Sequence, residues 1–73
     1  MLDINGNEVR VGDKCKFYFE LYGQWVIGTV SKVVTYTYYY YYPLTVWEAK
    51  VDNGSNIAAR IVDSNRIEII KEH

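Results

Sequence analysis

Apolar and polar positions alternate with a period of two from Lys14 to Tyr22 and again from Trp47 to Val51, and no stretch repeats at three and four residues for long enough to make a helix. From Lys14 to Tyr22, Cys15, Phe17, Phe19 and Leu21 fall on one side and Lys14, Lys16, Tyr18 and Glu20 on the other, which predicts a half-buried strand. Gly23-Gln24 breaks it. Trp25 to Val34 is rich in β-branched residues and predicts a second strand, bent at Gly28, because a glycine inside a strand marks a bend or a close backbone approach. Leu44 to Asp52 predicts a third, with Trp47, Ala49 and Val51 facing inward and Glu48 and Lys50 outward. Asp52-Asn53-Gly54-Ser55 makes a hairpin connection to a fourth strand, Ile57 to Val62. Asp63-Ser64-Asn65 is a polar turn before a last strand, Arg66 to Ile70. Upstream, Asn5-Gly6 and Gly12-Asp13 are turn signals around short apolar positions.

The expected class is therefore all-β. Five short strands in 73 residues hide their edges most economically by curling into a small barrel, forming a single domain over residues 1–73. A chain of this length buries only about 60% of its unfolded surface, so the core is thin and no deep substrate cleft is expected.

The strand lengths and order, with a one-turn polar link before the final strand, resemble the SH3-like barrel superfamily, in particular its Tudor and KOW-type members. The residues that carry the resemblance are Val11-Gly12-Asp13 entering the first strand, Gly23-Gln24-Trp25 leading into Gly28-Thr29-Val30, Val51-Asp52-Asn53-Gly54 at the hairpin, and Arg66-Ile67-Glu68-Ile69-Ile70 at the close. It implies a five-stranded SH3-like barrel over roughly residues 9–70, carrying an elongated tyrosine-rich hairpin between its second and third strands. The Tudor resemblance also implies that Tyr22 and Trp25, with residues around Asp52 and Asn53, build an aromatic cage for a methylated cation. Asn53 stands where that family commonly has an aromatic, and Ser55 is inserted before Asn56. KOW-type members use basic loops for nucleic acid, whereas Lys14, Lys16, Lys32, Lys50 and Arg60 are interleaved here with acids. The opening, Asp3-Ile4-Asn5-Gly6-Asn7-Glu8-Val9 followed by Gly12-Asp13, is similar to small phage-encoded domains such as the YopX-like family, and implies a phage or mobile-element protein acting on a host protein.

Charge narrows the function classes. Eight basic residues against nine acidic ones, a net charge of -1, leave no field strong enough to hold a polyanion, and neither half of the chain is a basic tail. The single cysteine closes no internal disulfide and the opening residues are polar and acidic, so a cytoplasmic protein is expected, with no membrane span. The one histidine, His73, is terminal, and no Ser-His or Cys-His pair can be assembled around it. One Cys and one His also fall short of the four ligands of a structural zinc site. Cys15 reads as a small core residue, and Asp13, Glu20, Glu48 and Asp52 as solvated acids. No glycine-rich loop opens a helix to cradle a phosphate. The expectation is a protein that is not an enzyme and takes no metal or cofactor.

The segment Thr35-Tyr36-Thr37-Tyr38-Tyr39-Tyr40-Tyr41-Tyr42-Pro43 stands out. Tyrosine offers a large apolar ring with a polar tip, giving contact area at low entropic cost. Two roles fit: an elongated hairpin whose rings cover one mouth of an undersized core, or an interface that another chain grips. The second makes Tyr22, Trp25, Tyr36, Tyr38, Tyr39, Tyr40, Tyr41, Tyr42 and Trp47 partner-binding residues, for a protein partner or a second copy of the chain. The alternative is weak nucleic-acid or nucleotide binding, with stacked tyrosines holding bases and Lys14, Lys16, Lys32 and Lys50 meeting phosphates.

Overall fold

The computed structural model describes residues 1–71, so the terminal His73 lies outside the described residues. Its strands are β1 (Lys14–Phe19), β2 (Gln24–Tyr39), β3 (Pro43–Asp52), β4 (Ala58–Ile61) and β5 (Ile67–Ile69), with a single 3-10 turn, Ser64–Arg66, before the last. All pair antiparallel in one sheet of order β4-β3-β2-β1-β5. The molecule is all-β, as its alternation predicts.

β2 is the spine. Its first half pairs with β1, from Phe19 opposite Gln24 to Lys14 opposite Thr29. From Thr29 onward it pairs with β3, to Tyr39 opposite Pro43. Where the two pairings hand over, Gly28 lies so close to β3 that a Cβ placed on it would run into the Asp52 carbonyl oxygen and come within 2.8 Å of Phe17 Cε1. Absence of a side chain at that point lets the two halves of the sheet share one core. That core is Cys15, Phe17, Val30, Ala49, Val51, Ile61 and Ile67, closed by Met1 and Val9 from the chain start.

The expected closure into a barrel is corrected by the ladder itself, which ends at β4 on one side and β5 on the other. The reason lies in the N-terminal arm. Ile4 N–H donates to the Ile67 carbonyl at 3.0 Å, and Ile69 N–H donates to Asp3 Oδ2 at 2.8 Å, so this arm covers the flank of β5. Covering an edge with a loop removes the need for a closing strand.

Three expected positions are also corrected. Leu21 is exposed because β1 stops at Phe19, and a turn held by Tyr22 N–H to the Phe19 carbonyl and Gly23 N–H to the Glu20 carbonyl follows, with Gly23 at φ 61°. Trp47 has the parity of Ala49 and Val51 yet is half exposed, because β4 pairs with β3 only from Ala49 onward. Glu48, expected in solvent, is buried.

Candidate functional site: an uncharged tyrosine ribbon

Past Ala49 β3 has no β4 beside it, and past Val30 β2 has no β1 beside it. What remains of the two strands is a two-stranded ribbon, from Val33 opposite Ala49 to Tyr39 opposite Pro43, tipped by Tyr40, Tyr41 and Tyr42. Residues 33–47 contain no charged side chain.

A bulge between Val30 and Lys32 sets which ring faces which way. One extra residue in β2 shifts its alternation, so Val33 as well as Val30 faces the core side. Ser31 Oγ donates to the Lys50 carbonyl at 3.0 Å and helps hold that irregularity. Beyond it Tyr36 and Tyr38 share the outer face with Leu44, Val46 and Glu48, while Thr35, Thr37 and Tyr39 share the opposite face with Thr45 and Trp47. The Thr37 and Thr45 hydroxyls meet at 3.4 Å across that second face.

None of the six ribbon tyrosines is core. Tyr36 and Tyr38 are about half exposed, Tyr39 and Tyr42 more so, and Tyr40 and Tyr41 reach 87% and 88% exposure. Tyr40 and Tyr41 stand edge to face, ring centroids 4.6 Å apart. The mouth of the core is covered by Met1 and Val9 instead. At Tyr36 the hydrogen bond to Glu48, then the charge of that carboxylate, hold the phenol above the usual tyrosine range, with Arg60 opposing. Glu48 Oε2 is buried without a hydrogen-bond partner.

The other expected contact residues are elsewhere. Trp25 sits opposite Tyr18 near the start of β2, the far end from the tyrosines, with ring centroids 5.9 Å apart and Lys16 Nζ 5.9 Å from its ring. Tyr22 packs edge-on against Phe19 at 5.1 Å. Asp52 pairs with Thr29 and Ala58, so the structure does not bring Tyr22 and Trp25 together with the Asp52-Asn53 turn. Trp47 lies opposite Thr35, partway up the ribbon, and borders a shallow cleft with Met1, Leu2 and Val62.

Sequence reasoning missed a second surface around Trp25. Arg66 lies over Tyr18 at 5.0 Å and pairs with Glu20 at 2.9 Å, and Tyr18, Trp25, Asp63, Asn65 and Arg66 line one cleft. Alternation puts Tyr18 outward, but no local spacing shows that the 3-10 turn delivers Arg66 to it. The cationic side chains are similarly scattered. Lys16 is paired with Glu68 at 2.9 Å, while Lys32 and Lys50 face each other at the root of the ribbon.

Cys15 is fully buried, and desolvation first, then the charges of Asp13 and Asp52, push its thiol up to about 11. Among the described residues no group of three or more His, Cys, Asp or Glu is placed to hold a metal ion, and no helix is long and apolar enough to cross a membrane. No protein-family model, no curated protein and no solved structure matches the chain.

Proposed function

We propose that this chain is a non-enzymatic protein-interaction module that makes its contacts through the tyrosine ribbon. The observation that carries the reading is the display of Tyr38, Tyr39, Tyr40, Tyr41 and Tyr42 in solvent on a projecting ribbon, where they stabilise nothing in the core. Large exposed aromatic surface is rare on a chain that works alone and is the composition of binding hot spots. A thiol held protonated by burial removes the only cysteine as a nucleophile, which supports a contact role over chemistry.

The same reading treats the architecture as SH3-like. Support comes from the bent second strand, which pairs with both neighbours at Thr29, and from the one-turn link Ser64–Arg66 before the final strand.

The test is a double substitution, Tyr39→Ser with Tyr41→Ser, compared with the native chain in affinity capture and then in titration against the purified partner. Both positions are exposed, so the near-UV circular dichroism of the folded chain is expected to hold while binding falls at least tenfold. Unchanged binding would overturn the reading. A parallel titration with a fluorescent oligonucleotide at low and moderate salt separates the protein reading from base stacking: no quenching of tyrosine emission is expected, and salt-sensitive quenching would replace a protein partner with a nucleic acid.

A further inference from the structure

Resting on the reading of the ribbon as the interaction surface, we infer that its occupant is a second copy of this chain, joined by antiparallel pairing of the free β2 edges across a two-fold axis within Val33–Tyr39. Four observations select that occupant.

The first is charge. Residues 33–47 present no ionised group, so the ribbon offers a charged partner nothing to complement, whereas two identical uncharged ribbons approach without repulsion. Area is the second. The exposed fractions of the six ribbon tyrosines amount to about four whole side chains, or roughly 600 to 1,000 Å² available per copy, of which Tyr36, Tyr38 and Tyr39 in the paired strand supply a little under half and the tip rings Tyr40, Tyr41 and Tyr42, laid against the root of the other copy, the rest. A stable interface needs about 800 Å² from each partner.

The third is the state of the edges. β1 leaves β2 at Thr29, so among the described residues no strand flanks the backbone of β2 from Ser31 to Tyr39 on that side, and every residue of this stretch carries an N–H donor. β3 begins with Pro43, which has no donor, and so is the blunted edge of the two. Pairing through β2 therefore closes after two copies and leaves the less receptive β3 edges outermost, which opposes open-ended growth. The fourth is stability: an isolated two-stranded hairpin is marginal in water, and edge pairing turns two such ribbons into one four-stranded sheet.

Thr37 lies on the ribbon, outside the core and close to the middle of the paired segment, so with the two-fold axis beside it a charge placed there comes near its own copy. Light scattering behind size exclusion is expected to give twice the 8.6 kDa chain mass for the native protein at about 100 μM, a concentration chosen to detect micromolar association. Thr37→Lys alone and Thr37→Glu alone are expected to give monomers with native near-UV circular dichroism. Their equimolar mixture is expected to restore the dimer, which a general folding defect cannot do. A native protein that is monomeric, or a Thr37→Lys variant that remains dimeric, overturns the inference. If the native protein is a monomer while Tyr39→Ser with Tyr41→Ser still abolishes capture of a purified foreign protein, the second copy is wrong and the contact role of the ribbon stands. If the tyrosine substitutions change neither mass nor capture, the contact role itself has failed.

Discussion

The Asp3 carboxylate accepts the backbone N–H of Ile69, 66 residues away, at 2.8 Å, and this bond ties the start of the chain to its last strand. Asp3 also accepts the N–H groups of Asn5 at 2.9 Å and Asn7 at 2.7 Å. Burial pushes its carboxyl up, but the backbone bonds from Ile69, Asn7 and Asn5 and the Asn7 side-chain amide outweigh that and leave it below the usual aspartate range. A depressed folded value means that the stability from this group is complete above the unfolded value of 3.8 and is lost as pH falls through the lower folded one. Asp3→Asn is expected to cost on the order of 1 to 3 kcal/mol at neutral pH, because backbone donors lose a charged acceptor. Urea unfolding at pH 7 and pH 3 checks it, and the gap between variant and native protein should narrow in acid.

Gly28 is the hinge on which the shared core depends. Gly28→Ala would press a methyl group into backbone of Asp52, which cannot swing aside as a flexible side chain can, and into the Phe17 ring. A loss of about 3 kcal/mol or more is expected, at the upper end of overpacking costs. A thermal midpoint within a degree or two of native would show that β2 and β3 separate more easily than the geometry allows.

Legibility follows locality. Alternation alone identifies Cys15 and Phe17, or Ala49 and Val51, as inward because each has sheet on both sides, so period and burial coincide. Gly6 and Gly54 were legible as turns for an equally local reason, since both hold positive φ. Trp47 defeats the pattern: its parity is correct, but burial also needs a cover over that face, and β4 stops short of it at Ala49. The outer-face placement of Tyr36 depends on a bulge at Ser31, for which the run Val30-Ser31-Lys32-Val33 gives no periodic signal. The arm that covers β5 is harder still, because its bonds join residues at the two ends of the chain and local spacing carries no trace of them.

The Cys15 thiol is expected to be inert in the folded protein. Its value of about 11, raised chiefly by burial, keeps it protonated through neutral pH, and its side chain has no exposed surface. An aromatic disulfide reagent at pH 8 should react only as fast as the protein unfolds, and completely in denaturant. Cys15→Ser should destabilise by about 1 to 3 kcal/mol, since a hydroxyl in that apolar setting has no partner. Rapid labelling of the native chain would contradict the packing of β1 against β5.

Tyr36 and Glu48, at the root of the ribbon, supply the remaining test. The phenol keeps its proton longer because it hydrogen-bonds to a carboxylate whose charge also opposes formation of a phenolate. With the folded value above the unfolded 10.0, the contribution of this group to stability is intact below that value and is lost as pH rises through the folded one. Glu48→Gln removes the charge and replaces the strongest acceptor by a neutral one, so the Tyr36 titration should move back toward 10.0. The alkaline loss of stability should then become shallower. A ¹³C titration of the ring carbon bearing the hydroxyl, assigned with Tyr36→Phe, reads the shift directly. An unmoved midpoint would mean that the buried carboxylate does not act on this ring, and that the outer face of the ribbon is electrostatically independent of the sheet at its root.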